Sequence, residues 1–328
     1  MRYDEAKKAF TSLFMHEMND EEMLEFLLSI KLDEQTPTEV IAAAAEVMRT
    51  FAIKLPIPDE LRAKVIDIVG TGGDKIGSFN ISSTVAILCA SCGSMVAKHG
   101  SRSVTSKSGS ADMFEELGVR LDLNLQDSAK LLEESGFTFM FAQAHHPAMG
   151  FIMPVRKKIP QKTIFNILGP LTNPAQTKKS LLGVFHKSFV SKIAEALRIN
   201  GATSTMVVSS AEGMDEISIS DITYASELRD GIVHEFIIDP QQYGIKKAPL
   251  AAIVGGDAKE NSQILYNIFD SRATDAQRDI VMLNTASALV VDGLARDIQD
   301  GLEMAQNAIK TGKAKEKLKQ IIEISNKL

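Results

Sequence analysis

The chain has little cysteine, no excess of basic charge and no long apolar run, and each shortage excludes a class of protein. It holds two cysteines in 328 residues, Cys89 and Cys92. They lie in the apolar stretch 86–92, and neither a second pair nor a nearby histidine completes a zinc site. They read as buried thiols, and cysteine this scarce fits a reducing compartment. Lysine and arginine number 36 against 42 aspartates and glutamates, a net charge of -6. A nucleic-acid binder needs a basic footprint, so this balance argues against one. No segment approaches the ~18 apolar residues of a membrane-spanning helix. The first residues, with Asp4, Glu5, Lys7 and Lys8, carry no apolar signal region. The expected location is the cytoplasm, with no membrane and no nucleic acid as partner. Internal repeats and low-complexity segments are absent as well.

What is present is a 45% hydrophobic, 24% charged sequence long enough for two packed domains. Residues 1–64 read as helical. Met23, Phe26, Leu27 and Ile30 recur at helical spacing, behind Asn19 and Glu22 as a capping box. Thr36 is a candidate cap with Pro37 at the first helical position, and Val40 to Phe51 supply an apolar face. From Val65 the pattern changes to alternating strands and helices: strands at 65–69, 95–97, 137–142, 205–209 and 232–238, helices between them, and a helical tail from Asp257. The expected fold is α/β: a small N-terminal helical domain plus a larger α/β domain, 65–328, with a mainly parallel central sheet. The breaker-rich stretch 154–174 reads as a crossover, and part of 155–180 is expected to rejoin the helical domain.

Three segments carry anion-binding chemistry. Gly70-Thr71-Gly72-Gly73-Asp74 follows a strand, where glycines let several N–H groups face one anion. Asn80-Ile81-Ser82-Ser83 opens a helix, whose free amides favour phosphate; simple capping is the alternative. The run Lys98 to Ser110 holds three cations, many hydroxyls and two glycines directly after a strand, suited to phosphate oxygens unless it is only a solvated loop. Neither Gly-x-Gly-x-x-Gly nor a P-loop is present, so phosphates must be held another way. Farther on, Asp215-Glu216 is an adjacent carboxylate pair in a turn, suited to a hard cation or to solvent. Arg156 offers a planar fork for a carboxylate, or is a surface arginine beside Lys157 and Lys158. His145-His146-Pro147 suits a tight loop, with shape filling favoured over proton transfer.

The ordered motifs GTGGDKIGSFNISS, KHGSRSVTSKSGSAD, HHPAM, PVRKKIPQKTIFNILGPLTNPA, GMDEIS, GGDAKENS and DIVMLNTASAL resemble anthranilate phosphoribosyltransferase across nearly the whole chain. The resemblance implies transfer of phosphoribose from phosphoribosyl diphosphate (PRPP) to anthranilate in tryptophan biosynthesis. It implies magnesium, two ions per subunit, a homodimer through the helical domain, and PRPP in the cleft between domains. An association with anthranilate synthase stays open. By resemblance, PRPP meets Gly70, Gly73, Asp74, Ser78, Asn80, Ile81, Ser82, Ser83, Lys98, His99, Gly100, Ser101, Arg102, Ser103, Val104, Thr105, Ser106 and Ser110. Anthranilate meets Gly70, Ser101 and Arg156, with His99, His146 and Pro147 lining its channel. Ser82, Asp215 and Glu216 hold the metal, and Lys98 and Arg102 neutralise the leaving diphosphate as catalytic residues.

The chain departs from the family in places. Ser101 stands where Asn is usual, near the acceptor; losing one neutral hydrogen bond there is worth ~1 kcal/mol, roughly fivefold in affinity. Lys75 replaces a usual glycine, which puts another cation near the diphosphate or points it to solvent. Ser78 and Ser83 stand for threonine and keep the hydroxyl. Pro160-Gln161-Lys162 replaces a usual Leu-Gly-x-Arg-like stretch. Three other readings compete. One is a transferase for another aromatic amine, motivated by Ser101. A pyrimidine-nucleoside phosphorylase on the same fold lacks its own signature here. A non-enzymatic nucleic-acid-binding relative is opposed by the acidic charge and the intact Asp215-Glu216 pair.

Overall fold

In the computed structural model, which describes residues 1–103 and 107–328, a seven-stranded sheet divides two helical layers. Three helices come first: α1 (Tyr3–Phe14), α2 (Asp20–Ser29) and α3 (Thr38–Thr50), followed by a short α4 (Asp59–Arg62). The Asn19–Glu22 capping box opens α2 as its sequence predicts. Thr36 does not cap α3: that position falls to Pro37, while the Thr36 hydroxyl closes a turn with Lys31 O and Asp33 N. A proline fixed near φ -68° can precede the first turn as readily as open it.

The sheet begins with β1 (Val65–Gly70), α5 (Ile81–Ser91), β2 (Met95–Gly100), α6 (Ser110–Glu116), α7 (Leu125–Ser135) and β3 (Phe137–Phe141). The crossover holds α8 (Ala142–His145), α9 (Met149–Arg156) and α10 (Phe165–Leu168). Then come β4 (Lys179–Gly183), α11 (Val190–Ile199), β5 (Ser204–Ser210), β6 (Thr223–Arg229) and β7 (Ile232–Ile238). The tail is α12 (Ala258–Phe269), α13 (Asp275–Asp292), α14 (Ile298–Lys310) and α15 (Lys313–Lys327). Two strands, β4 and β6, lie where sequence patterning placed none. The strand order is β3-β2-β1-β4-β5-β6-β7, parallel through β5 and antiparallel at β6 and β7.

Each face of the sheet has its own core. Ile66, Ile68 and Val96 pack with α5, α6 and the C-terminal helices. Leu182, Val184 and Val207 pack with α11, the N-terminal helices and Ile152 to Leu171 of the crossover. Successive strand residues point to opposite faces, which is why neighbours in β1 and β2 serve different layers. No helix among the described residues is long and apolar enough to cross a membrane.

Chain order reverses between β1 and β4. Strand β1 is followed by β2 on one side, whereas β4 and β5 extend the other. Open parallel sheets leave a crevice at the carboxyl ends of strands flanking such a reversal. Here those ends are Gly70 and Gly183, paired directly in register.

Candidate active site

The crevice is built on those two glycines. A β-carbon at Gly70 would lie 2.3 Å from Asp215 Oδ2, and one at Gly183 only 1.6 Å from the Asp215 carbonyl oxygen. The missing side chains therefore admit the Asp215–Glu216 turn to the sheet edge. The Gly72 N–H donates to Asp215 Oδ2 at 2.6 Å, and the Ser82 N–H donates to Glu216 Oε1 at 3.2 Å. Two acids thus reach back across more than a hundred residues to the glycine turn and the first turn of α5. This juxtaposition is invisible at any local spacing.

Burial and mutual repulsion set the protonation of the pair. Asp215 is pushed up to about 7 by burial and then by Asp74, and Glu216 up to about 8 by burial and then by Asp215. Lys98 stands beneath them. Its side chain is 2% exposed, and its ammonium donates to Ile68 O at 2.6 Å and Ser82 Oγ at 3.2 Å. Burial pulls its pKa down, while Asp67, Glu216 and Asp215 hold it up. Asp67 lies across the sheet, raised to about 6 by burial against the opposing pull of Asn173 and Lys98.

Once ionised, Asp67, Asp215 and Glu216 outnumber the one buried cation, Lys98. The oxygens of Ser82, Asp215, Glu216 and Asp74 are hard donors that fit magnesium, an ion commonly held through one or two carboxylates plus substrate phosphates. Among the described residues, no cluster of three or more His, Cys, Asp or Glu forms a complete cage. An ion held by Asp215 and Glu216 would need substrate or water oxygens to complete its coordination.

The structure distributes the other expected residues unevenly. Asn80 anchors the head of α5: its Oδ1 accepts from Asn261 Nδ2 at 2.7 Å and from Ser108 Oγ at 3.1 Å. Ser78 makes an isolated bridge with Val254, and Asp74 Oδ1 accepts from the Ile76 N–H. The Ile81 side chain lies in the core, 1% exposed, so only its backbone is available to a ligand. Ser83 is equally buried, with its hydroxyl unpartnered among the described residues. Lys75 has φ 65°, a left-handed conformation that favours the glycine usual there, and its side chain is exposed.

In the serine-rich run, Gly100 ends β2 and the exposed Ser101 donates its hydroxyl to Arg102 O at 3.1 Å. The Ser101 carbonyl accepts from the Ala111 N–H and from the Ser110 hydroxyl. The Ser103 N–H donates to Asp112 Oδ2 at 3.0 Å. Val104, Thr105 and Ser106 lie outside the described residues. Arg102 is committed elsewhere: its guanidinium pairs with both Glu115 oxygens at 2.5 Å and with Asp112 at 3.1 Å, which raises its pKa. The two cations expected to be catalytic are thus held in different settings. Strand alternation turns Lys98 under the carboxylates, while the acids of α6 engage Arg102.

His99 projects from the face of β2 opposite Lys98. The rings of His99 and His146 are 5.2 Å apart, both residues are buried, and each Nε2 lacks a partner among the described residues. Burial, then neighbouring histidines, holds His99 well below its ordinary value; burial, then His145, brings His146 down to about 4. Both rings are neutral at pH 7. Pro147 is exposed beside them. Arg156, at the end of α9, stands over Phe165 at 5.8 Å and donates to Met153 Sδ at 3.6 Å. No carboxylate pairs with it among the described residues, and burial lowers its pKa.

Sequence reasoning missed Asp67, Asn173, Gly183 and Asn261 as supports of this site. Asn173 and Asn261 occur inside the quoted motifs, but only the fold shows what they bind: Ala97 O for Asn173, Asn80 and the Gly256 backbone for Asn261.

Comparisons with known proteins identify the family. The model of the glycosyl transferase family, a/b domain, matches residues 62–315. An anthranilate phosphoribosyltransferase of Xanthobacter autotrophicus is 41% identical over 325 residues, 99% of this chain and 93% of the relative. The chain belongs to the anthranilate phosphoribosyltransferase family. A second relative of that name, from Polynucleobacter asymbioticus, is 42% identical over 98% of this chain and 94% of its own length. In structure, the chain is similar to the anthranilate phosphoribosyltransferase of Thermus thermophilus, with TM-score 0.91 and 33% identity over 99% of this chain and 96% of that one. The Saccharomyces cerevisiae enzyme in complex with PRPP and Mg aligns with TM-score 0.85 and 27% identity, over 99% and 93% of the two chains. The family resemblance and the α/β class with a mainly parallel sheet are both borne out.

Proposed function

We propose that this protein transfers the phosphoribosyl group of PRPP to the amino nitrogen of anthranilate, releasing diphosphate, in tryptophan biosynthesis. One observation carries the reading: Asp215 and Glu216 hydrogen-bond to the backbone of the glycine turn and of the α5 start. A donor's phosphates and their counterion would share that crevice.

In this reading Gly70, Gly73, Asp74, Ser78, Asn80, Ser82, Ser110 and the backbone from Ile81 to Ser83 hold PRPP, together with residues of the run that follows Lys98. Ser82, Asp215 and Glu216 hold magnesium, two ions per subunit. The chemistry that bound magnesium supplies is compensation of charge on the departing diphosphate. The bond from C1 to the diphosphate oxygen breaks, one from C1 to the amine nitrogen forms on the opposite face, and the amine's proton passes to the released diphosphate or to water. An aniline nitrogen is unprotonated at neutral pH, so the neutral His99 and His146 need only shape the acceptor channel. Positioning carries much of the rate. Arg156, half-buried and without an ion-pair partner among the described residues, takes the anthranilate carboxylate through its planar fork. Lys98 steadies Ser82 and the acid pair, and Arg102 reaches the donor only if it leaves Glu115 and Asp112. Residues 1–64 with part of 155–180 form a domain that closes on 65–328. The chain works as a cytoplasmic homodimer, and an association with anthranilate synthase is compatible with this reading.

Purified protein should deplete anthranilate fluorescence only when PRPP and magnesium are both present. Persistence of the signal at saturating substrates removes the assignment. Ser101 favours one second reading, another aromatic amine as acceptor. Ser101→Asn should lower the KM for anthranilate about fivefold, the worth of one neutral hydrogen bond. An unchanged or higher KM, with faster turnover of a different amine in a panel, would move the assignment to that amine.

A further inference from the structure

Lys162 is a cation the transferase reading leaves without a task. It lies between α9 and α10, in a segment whose flanking Ile159, Ile164 and Phe165 belong to the core shared with the N-terminal helices. Its ammonium nevertheless crosses to the glycine turn. Nζ stands 3.2 Å from the centre of the Phe185 ring and 3.4 Å from Gly73 O. Phe185 is part of the same corner: its N–H donates to Thr71 Oγ1 at 3.2 Å, and the Thr71 N–H donates to Gly183 O at 3.0 Å.

No carboxylate forms a direct ion pair with Lys162 among the described residues; Asp74 and Asp215 attract it from farther off, and Lys75 repels it. Lys75 is exposed in the same loop, and three further cations near the crevice are differently placed. Lys98 is bonded beneath the acid pair, Arg102 is held by Glu115 and Asp112, and Arg156 is stacked on Phe165. Lys162 is exposed, so the seat on the ring can be left without disturbing a core. A ring face and one long carbonyl contact are weaker partners for an ammonium than a phosphate oxygen at charge-assisted distance. The turn it touches also holds the amides best placed to receive an anion.

We propose that Lys162 is a donor-binding residue, parked on Phe185 and Gly73 O, that takes an oxygen of the PRPP diphosphate when the donor enters the glycine turn. The inference rests on the transferase reading above for the identity of the donor. It also gives the crossover a physical link to the phosphate site: the segment that packs with the N-terminal helices delivers a charge to the loop after β1. Arginine, on a side chain of similar reach, should substitute.

The test is calorimetric titration of PRPP in the presence of magnesium, with thermal melting as a check on folding. Lys162→Gln should weaken PRPP binding about tenfold or more, the scale of one charge-assisted hydrogen bond, and flatten its salt dependence. Lys162→Arg should recover affinity to within about threefold on the same grounds. In steady-state assays the loss should appear in the KM for PRPP and leave the KM for anthranilate near its original value. Unweakened PRPP binding by Lys162→Gln overturns the proposal. So does a Lys162→Arg variant as weak as Lys162→Gln, which would mark a structural role. A protein that binds PRPP through Lys162 yet consumes no anthranilate overturns the acceptor and leaves Lys162 standing. A protein with no affinity for PRPP overturns both.

Discussion

Exchanging Asp215 for Asn and Glu216 for Gln together should abolish magnesium-dependent transfer and, at the same time, raise the melting temperature of the metal-free protein at pH 8. The two effects have one cause. Asp74, Asp215 and Glu216 crowd a site whose nearest buried cation is Lys98, and burial and repulsion raise Asp215 to about 7 and Glu216 to about 8. An acid raised this way keeps its proton in the folded chain after the unfolded chain has released it. Between the ordinary carboxylate range and about pH 8 the folded state therefore binds more protons, and stability falls as pH rises. Asp67, raised to about 6, adds to the same slope. The amide variant removes two of these acids and leaves Lys98 beside Asp67, so its metal-free stability should depend less on pH. Its kcat/KM with magnesium should fall at least about a thousandfold, the scale of losing a preorganised charge-stabilising site. Melting curves from pH 5.5 to 8.5 and a magnesium titration of activity check both halves. A magnesium requirement identical to the parent's would remove these residues from the metal site, and an unchanged pH slope would contradict the charge surplus.

Gly183→Ala should be nearly as damaging, although Gly183 carries no functional group. The added methyl would meet the Asp215 carbonyl oxygen at 1.6 Å and its carbonyl carbon at 2.3 Å, backbone atoms that no side-chain rotation can move aside. Either β4 leaves its register with β1 or the acid turn lifts away from Gly72 and Ser82. The expected loss is ~2–4 kcal/mol of unfolding free energy, as for severe overpacking, and at least about a hundredfold in kcat/KM from misplaced ligands. Denaturant melts and steady-state rates would measure both. Near-parental values in both would mean that this corner of the sheet has slack. Gly312, with nothing within 4 Å of its added β-carbon but φ +81°, is not a suitable control. Gly150, which has open space and no such φ, is.

Much of the chemistry was legible before folding because it lies in contiguous motifs: the glycine turn, the run from Lys98 to Ser110 and the acid pair. The roles within those motifs were less so. In a basic, hydroxyl-rich run, Lys98 and Arg102 look alike as phosphate binders. Their separation depends on β2 ending at Gly100, which leaves Lys98 inside the sheet and Arg102 on the loop facing α6. The two strands that patterning missed have physical reasons for escaping it. Strand β4 is five residues, Lys179–Gly183, too short to show a period, and β6 carries Ser226, Glu227 and Arg229 among its seven. Both are strands because neighbours on either side supply their hydrogen bonds.

By itself the sequence determined the class of fold, the family and the kinds of group available, since hydrophobic period, capping and turn chemistry act over a few residues at a time. Only the tertiary structure decided which of those groups meet. Placing Gly70 beside Gly183, setting Asp215 against both, sending Lys98 beneath the acids and bringing Lys162 to the glycine turn all require strand pairing and layer packing between segments far apart in the chain. No local pattern encodes such a distance.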